Sequence, residues 1–203
     1  MVKTRVVQLD FSQKYDAATF TKIYNENLKD IDVSVLVNNV GMSGAIFEPF
    51  WLQSEQEVHN VMSCNMYANV LLTRELIEHF KRRSEKKERS CIIFTSAMAS
   101  LAPVPGIGSY SASKIFCDYL TWGLGYELKK YRVDVSAWRA AGVATNIIGA
   151  KGKAGSVMLA TPDQYVQQAM GKVTSSVHSG YLPHEILHLI WTNLHDVVPI
   201  YFC

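Results

Sequence analysis

Several common functional signatures are missing from this 203-residue sequence. Its four cysteines (Cys64, Cys91, Cys117 and Cys203) are widely spaced and form no CxxC pair, which favours buried thiols in a reducing compartment over a disulfide framework. Its six histidines show no HExxH or other ligand spacing, so no metal site is assigned. A net charge of +2 is too small to predict a nucleic-acid partner.

Long apolar runs are missing as well. The first ten residues contain no apolar segment of signal-peptide length, and no stretch reaches about 18 uninterrupted apolar residues. The apolar C-terminal residues 185–203 are expected to pack on the domain, with contact to a membrane surface as the alternative. The composition, 48% hydrophobic and 19% charged, predicts one globular domain over residues 1–203.

Short β-branched runs alternate with helix-length segments along the chain. Nearly continuous apolar runs predict four strands covered on both faces, at residues 4–10, 33–39, 90–97 and 133–138. Apolar residues at helical spacing predict helices at residues 13–30, 54–83 and 109–131, the second opening with a Ser54-x-x-Glu57 capping box. This alternation predicts an α/β fold with a parallel sheet, followed by an irregular segment at 149–162.

A tyrosine and a lysine stand one helical turn apart in "SYSASK", residues 109–114. Positions i and i+4 share a face of a helix, so Tyr110 and Lys114 are expected to project together. The ammonium favours the phenolate and is expected to lower the pKa of Tyr110 from about 10. A tyrosine tuned in this way donates a proton to a carbonyl oxygen or takes one from an alcohol. On its own, such a pair is usually exposed on the surface and has no catalytic role, so its interpretation depends on the surrounding sequence.

Four segments in the right order supply that context. They are "VLVNNVG" (35–41), "CNMYANVLLT" (64–73), "YSASK" (110–114) and "GVATNI" (142–147). Together they resemble the motifs of the short-chain dehydrogenase/reductase family, over about residues 10–187. "NNVGMS", "PVP" (103–105) and "SGYLPHEIL" (179–187) are further similar to the branch that holds 17-beta-hydroxysteroid dehydrogenases and very-long-chain 3-oxoacyl-CoA reductases.

This resemblance implies a Rossmann-like, doubly wound parallel sheet and an NAD(P)-dependent oxidoreductase. Its substrate would be a keto or hydroxy group on a lipid-like molecule, a steroid or a 3-oxoacyl-CoA. By resemblance, Tyr110 would be the general acid or base, Lys114 would tune it and hold the nicotinamide ribose, and Asn65 would position a water in the proton relay. The cofactor, NADP or NAD, would contact Tyr110 and Lys114 together with Asp10, Asn38, Gly41 and Thr145.

Two of these residues carry a simpler interpretation. Asn38 would cap the end of a strand, and Asn65 would be an ordinary polar residue within a helix. The resemblance also implies a homo-oligomer formed through the helices at 54–83 and 109–131. Its implied location is the endoplasmic reticulum, with possible peripheral contact to the membrane; without the resemblance the location would be cytoplasmic.

The start of the family pattern has no counterpart here. The family begins with a strand, a TGxxxGxG turn that binds the pyrophosphate, and a second strand. The chain is therefore expected to represent an N-terminally truncated form whose sheet lacks the first two strands. Residues 4–9 are then expected either to pair with 33–38 or to make no regular sheet contact, and 33–39 to present a hydrophobic edge.

Two positions near the predicted site depart from the pattern. The family's substrate-orienting serine, thirteen residues before the tyrosine, falls on Ala97. Ser96 takes its place only if a local bulge turns the side chain, because neighbouring strand residues face opposite sides. Ala140 stands where a proline is usual. These departures leave a second interpretation open, a catalytically impaired relative that serves as a structural or interaction subunit.

Overall fold

Six strands are present in the computed structural model, which describes residues 2–44, 47–148 and 158–194. In chain order they are β1 (Val35–Asn38), β2 (Ser90–Ala97), β3 (Val133–Ala140), β4 (Gly142–Val143), β5 (Leu159–Ala160) and β6 (Val177–His178). Four of them form a parallel sheet in the order β1-β2-β3-β6, and β4 pairs with β5 beside it. The predicted parallel sheet is confirmed.

The helices are α1 (Ala17–Ile23), α2 (Glu55–Met62), α3 (Ala68–Glu85), α4 (Gly108–Leu128), α5 (Pro162–Met170) and α6 (Leu182–Leu194). The predicted helix at 54–83 is interrupted by a π-helical turn, Ser63–Tyr67, which separates α2 from α3. The predicted capping box is present: Glu57 N donates to Ser54 Oγ at 3.2 Å, and Ser54 N donates to Glu57 Oε2 at 2.9 Å. Two of the orphan amides at the start of α2 are satisfied in this way.

Both faces of the sheet are covered, as a doubly wound fold requires. On one face, Ile92 and Phe94 pack with side chains of α3 and α4 such as Phe80 and Cys117. On the other face, Ile93 and Trp138 pack with residues of the α5 region. Ile92, Ile93 and Phe94 are completely buried, and each such side chain contributes about 1.5–3 kcal/mol by leaving water. Successive apolar residues of β2 therefore serve opposite layers, which explains its continuous apolar sequence.

The strand predicted at residues 4–10 is wrong. In the structure these residues form no strand, and the alternative of no regular sheet contact is confirmed. Arg5 instead pairs with Asp30, with Nη1 2.6 Å from Oδ1. Val6 remains 90% exposed, because no strand of the described residues lies beside it.

The predicted hydrophobic edge at 33–39 is confirmed for β1. Within the described part of the chain, β1 pairs only with β2. Val35 and Val37 face the same side as the buried Cys91 and Ile93, yet they are 46% and 47% exposed. Leu36, on the opposite side, is buried in the core.

The C-terminal third holds more regular structure than its sequence predicts. Residues 149–157 of the predicted irregular segment lie outside the described residues, whereas 158–162 contain β5 and the start of α5. Residues 185–194 of the apolar C-terminal segment belong to α6, and 195–203 lie outside the description. Across the described residues, no helix combines the length and apolarity needed to cross a bilayer. Cys64, Cys91 and Cys117 are free and buried, as predicted, whereas Cys203 lies outside the described residues.

Candidate active site

A cavity of about 690 Å³ opens at the carboxyl ends of β2 and β3. Ligands of open α/β sheets bind at this edge, where strand-end loops converge. Its walls come from the end of β2, the start of α4, the segment after β3 and the first turns of α5. The lining residues used below are Asn39, Gly41, Thr95, Ser96, Ala97, Tyr110, Lys114, Ala140, Ala141, Gly142, Val143, Thr145, Tyr165 and Val166.

Tyr110 and Lys114 lie together on this cavity, as their helical spacing predicts. Lys114 Nζ is 5.6 Å from the centre of the Tyr110 ring. It donates a 2.8 Å hydrogen bond to the carbonyl oxygen of Thr95, at the end of β2. The lysine is 3% exposed and the tyrosine half-buried, so the pair is part of the cavity wall rather than of the outer surface.

Burial governs the protonation of both groups. It raises the pKa of Tyr110 to about 12 and lowers the pKa of Lys114 below its usual value. The predicted lowering of the tyrosine pKa by Lys114 is wrong for this state of the protein. Burial disfavours the charged phenolate, and the neighbouring Cys117 thiol acts in the same direction. At neutral pH Tyr110 is therefore a phenol, with a proton available to donate.

Asn65 lies behind the pair and is completely buried. It belongs to the π-helical turn between α2 and α3, an irregularity often found at functional sites. Its Oδ1 accepts from Met42 N at 2.9 Å, and its Nδ2 donates to Met42 O at 2.9 Å and to Ser113 Oγ at 2.8 Å. Ser113 Oγ in turn donates to the carbonyl of Tyr110 at 2.7 Å. Asn65 thus joins the segment after β1 to the helix that carries the pair.

The comparison with known families agrees with this geometry. Residues 1–154 match the family described as short chain dehydrogenase. The chain belongs to the short chain dehydrogenase family. Among curated proteins it is similar to a very-long-chain 3-oxoacyl-CoA reductase of Aspergillus terreus, with 28% identity over 85% of this chain and 46% of the relative. It is also similar to 17-beta-hydroxysteroid dehydrogenase type 3 of Mus musculus, with 28% identity over 94% of this chain and 59% of the relative.

Solved structures show the same fold. A short chain dehydrogenase from Salmonella enterica serovar Typhi has a TM-score of 0.74 at 19% identity, covering 88% of this chain and 75% of the other. A 3-ketoacyl-(acyl-carrier-protein) reductase from Brucella melitensis, complexed with NADH, has a TM-score of 0.71 at 22% identity, covering 85% and 76%. The chain spans about half the length of the curated fungal relatives it matches.

Not all residues suggested by the short chain dehydrogenase pattern reach the cavity. Thr145 lines it, half-buried, just beyond β4. Asn38 is buried beneath it, and its Nδ2 donates to Thr73 Oγ1 of α3 at 3.0 Å, an arrangement that suits the capping of a strand end. Asp10 is exposed and does not line the cavity. Its carboxylate accepts from Ser12 and Gln13, and these hydrogen bonds hold its pKa below the usual value.

Ser96 and Ala97 occupy opposite sides of β2, because the strand is regular to its end. Ser96 pairs with Arg139 and Ala97 with Ala140, so the bulge needed to turn Ser96 is absent. The Ser96 hydroxyl donates to the carbonyl of Lys114 at 3.1 Å, which ties β2 to α4. Ala97 therefore remains at the position where the short chain dehydrogenase pattern has its substrate-orienting serine.

Three further residues hold the site in place. Asn39 Oδ1 accepts from Thr95 Oγ1 at 3.0 Å, across the ends of β1 and β2. His184 of α6 accepts a hydrogen bond from the backbone of Ala141 in the segment after β3. Thr95 directly follows the apolar run of β2, and Asn39 is the second polar residue after the apolar run of β1, so the sequence signals both positions. A single histidine near the start of a helix gives no comparable signal.

Glycine at position 41 leaves room for the lysine. A Cβ added there would lie 3.1 Å from Lys114 Nζ and 3.4 Å from Asn65 Oδ1. We expect Gly41→Ala to push the flexible Lys114 side chain aside and to lower kcat/KM by about tenfold, equivalent to about 1.4 kcal/mol. The melting temperature should stay nearly constant, because only the end of a flexible side chain has to move.

Gly123→Ala is the matched control for this substitution. Gly123 lies in α4, and a Cβ added there meets no atom within 4 Å. Its replacement should leave kcat/KM unchanged and stabilise the protein by about 0.5–1 kcal/mol through helix propensity. Steady-state kinetics and thermal melting of the two variants separate the effects. Equal activities of the two variants would contradict the role given to the space at Gly41.

Proposed function

We propose that this protein is an NAD(P)H-dependent oxidoreductase that reduces a keto group on a lipid-like substrate, a steroid or a 3-oxoacyl-CoA. One observation carries the proposal. A tyrosine that stays protonated at neutral pH lies on the wall of the strand-end cavity, beside a buried lysine. Membership of the family and the names of the similar relatives, a 3-oxoacyl-CoA reductase and a steroid dehydrogenase, support the same chemistry.

The residues present fit the nicotinamide end of the cofactor. The cavity falls within the range of about 300–1,000 Å³ that is usual for small-molecule sites. Gly41 has no side chain to crowd Lys114 Nζ, and Lys114 and Thr145 would hold the ribose and the ring. A cofactor bound there would supply a hydride to the carbonyl carbon. Among the described residues there is no glycine-rich turn between a strand and a helix to hold a pyrophosphate, and Asp10 lies outside the cavity.

The proton comes from the protein. Tyr110 would donate it to the carbonyl oxygen as the alcohol forms. Lys114, held on Thr95, would stabilise the resulting phenolate, whereas Asn65 and Ser113 would keep the start of α4 in place. Asn65 would act through the backbone rather than through contact with the substrate, since its amide group is fully engaged.

The character of the cavity supports an apolar substrate. Ala97, Val143 and Val166 lie on its walls. The short segment 47–52, which precedes α2 in the sequence, exposes four large apolar side chains: Phe47, Phe50, Trp51 and Leu52. Its end is held against the start of α4 by a 3.2 Å hydrogen bond from Ser109 Oγ to Gln53 Oε1. Such a segment supports peripheral contact with a membrane, in keeping with the proposed location at the endoplasmic reticulum.

Association through the long helices is part of the proposal. Tyr67 precedes α3, and Tyr119, Trp122 and Tyr126 belong to α4; all four aromatic side chains are exposed. Aromatic residues of this kind are enriched in protein interfaces. They support a homo-oligomer in which α3 and α4 pack against a second copy.

The decisive experiment measures turnover with a long-chain 3-oxoacyl-CoA and with a keto steroid, each with NADPH and NADH. Because the pKa of Tyr110 is about 12, reduction should be nearly independent of pH between about 6 and 9. Oxidation of the alcohol needs the phenolate and should accelerate by up to tenfold per pH unit in that range. Absence of both nucleotide binding by calorimetry and turnover would contradict the proposal.

A further inference from the structure

A fully buried histidine supports one wall of the cavity from outside. His184 lies in the first turn of α6 and is 0% exposed. Its Nδ1 accepts a 3.2 Å hydrogen bond from the backbone N–H of Ala141. The imidazole ring packs edge-to-face against Tyr181, with the ring centres 4.8 Å apart. Its centre lies 5.7 Å from the centre of the Tyr165 ring. His184 thus connects α6 to α5 and to the segment that follows β3.

That segment, residues 140–145, carries much of the cavity lining. Ala140, Ala141, Gly142, Val143 and Thr145 all line it. Beyond Ala141 the chain pairs with β5, where Ala144 N donates to Ala160 O at 2.9 Å. Between the end of β3 and this pairing, the bond to His184 holds the backbone from the side of α6. Loss of the bond would leave a half-buried N–H without its acceptor, which destabilises this position of the segment.

The hydrogen bond requires a neutral imidazole. A ring that accepts at Nδ1 carries its proton on Nε2, and a protonated ring donates from both nitrogens. Burial lowers the pKa of His184 from 6.5. The carbonyl groups of Met158 and Gly142 and the carboxylate of Glu185 raise this pKa, but by less than burial lowers it. A proton added at Nδ1 would confront the N–H of Ala141 with a second donor.

We propose that neutral His184 is a positioning residue, which fixes the 140–145 segment at the cavity wall and so sets the affinity of the site for the nicotinamide nucleotide. The affinity part of this inference rests on the proposed function; the structural part does not. Acidification releases the segment, because the protonated ring has no lone pair left for Ala141.

The surroundings of His184 contain other groups that titrate or carry charge. Glu185 accepts from Ser179 N at 2.7 Å and lies 3.9 Å from His188. His188 in turn lies 3.5 Å from Arg139, which is paired with Asp118.

Tyr165 donates to Ser179 O, and its pKa is raised by burial. The remaining neighbours are Tyr181 and, around Glu185, His178 and Lys172. The pKa values of His178 and His188 are also lowered by burial, so a test must separate them from His184.

Hydrogen exchange tests the structural part directly. We expect the amide of Ala141 to exchange at least about tenfold faster in His184→Phe, which fills the space without an acceptor, than in the wild type at pH ~7. His184→Asn presents an amide oxygen near the position of Nδ1 and should restore the protection. Circular dichroism and thermal melting establish that both variants are folded. Unchanged exchange of Ala141 in folded His184→Phe would overturn the inference.

Nucleotide affinity tests the functional part. The dissociation constant of the wild type should stay level above pH 6.5 and rise by up to about tenfold per pH unit as the pH falls below the lowered pKa of His184, whereas that of His184→Asn should stay constant over the same range. His178→Asn is the control: His178 contacts Ser136 rather than the 140–145 segment, and the pH dependence should persist there. Equal pH dependence in wild type and His184→Asn would overturn the inference. Failure of the wild type to bind nucleotide at any pH would count against the proposed function, and hydrogen exchange would still decide on His184.

Discussion

Replacing Tyr110 with phenylalanine should lower kcat for keto reduction by about 10²–10⁴-fold, the usual contribution of a general acid. The ring remains, so the packing at the start of α4 and the contact with Lys114 at 5.6 Å are retained. Only the proton donor is removed. Nucleotide affinity should change little, because the loss falls on the transition state and not on the ground state. Single-turnover kinetics with saturating NADPH measure the effect.

Tyr119→Phe is the matched control for this prediction. Tyr119 belongs to the same helix, but its side chain is 65% exposed and does not line the cavity. Its variant should keep wild-type kinetics. If Tyr110→Phe retained more than about a tenth of the wild-type kcat, the proton would have to come from another group, and the proposed function would lose the observation that carries it.

Replacing Asp118 with alanine should destabilise the protein by about 3–5 kcal/mol, because it leaves the guanidinium of Arg139 buried without its partner. Asp118 is completely buried in α4, and its Oδ2 accepts from Arg139 Nε at 2.9 Å. Arg139 is 8% exposed and also lies over the ring of Trp122 at 5.8 Å. The pair therefore locks α4 to β3 directly beneath the cavity. Urea denaturation at constant pH gives the free energy of unfolding.

Two further variants show whether the loss arises from an unpaired charge. Asp118→Leu combined with Arg139→Met removes both charges and should recover most of the stability, because buried pairs contribute little once both partners are replaced by apolar groups. Asp30→Ala breaks the exposed pair with Arg5 and should have a much smaller effect, since solvent screens that pair. If Asp118→Ala unfolded at the same urea concentration as Asp30→Ala, the buried pair would not hold the two elements together.

Local patterns were sufficient for the central elements of the fold. The apolar runs predicted β1, β2 and β3, since buried strands of a parallel sheet are rich in β-branched and other apolar residues. The i,i+4 spacing of Tyr110 and Lys114 placed them on one face of α4, because the helical repeat alone decides which side chains are neighbours. The capping box of Ser54 and Glu57 is equally local. In each case the local structure follows from a few consecutive residues alone.

The tertiary structure decided everything that depends on distant neighbours. The run at 4–10 has the sequence of a strand, but a strand requires a partner, and within residues 2–44, 47–148 and 158–194 no strand pairs with it. The protonation of Tyr110 follows from burial, which no spacing in the sequence measures. Ser96 points to α4 because β2 stays regular to its end, and His184 acts on a segment more than forty residues away. Residue type and periodicity thus determined the elements and the reactive pair, whereas long-range packing decided their environment and therefore their chemistry.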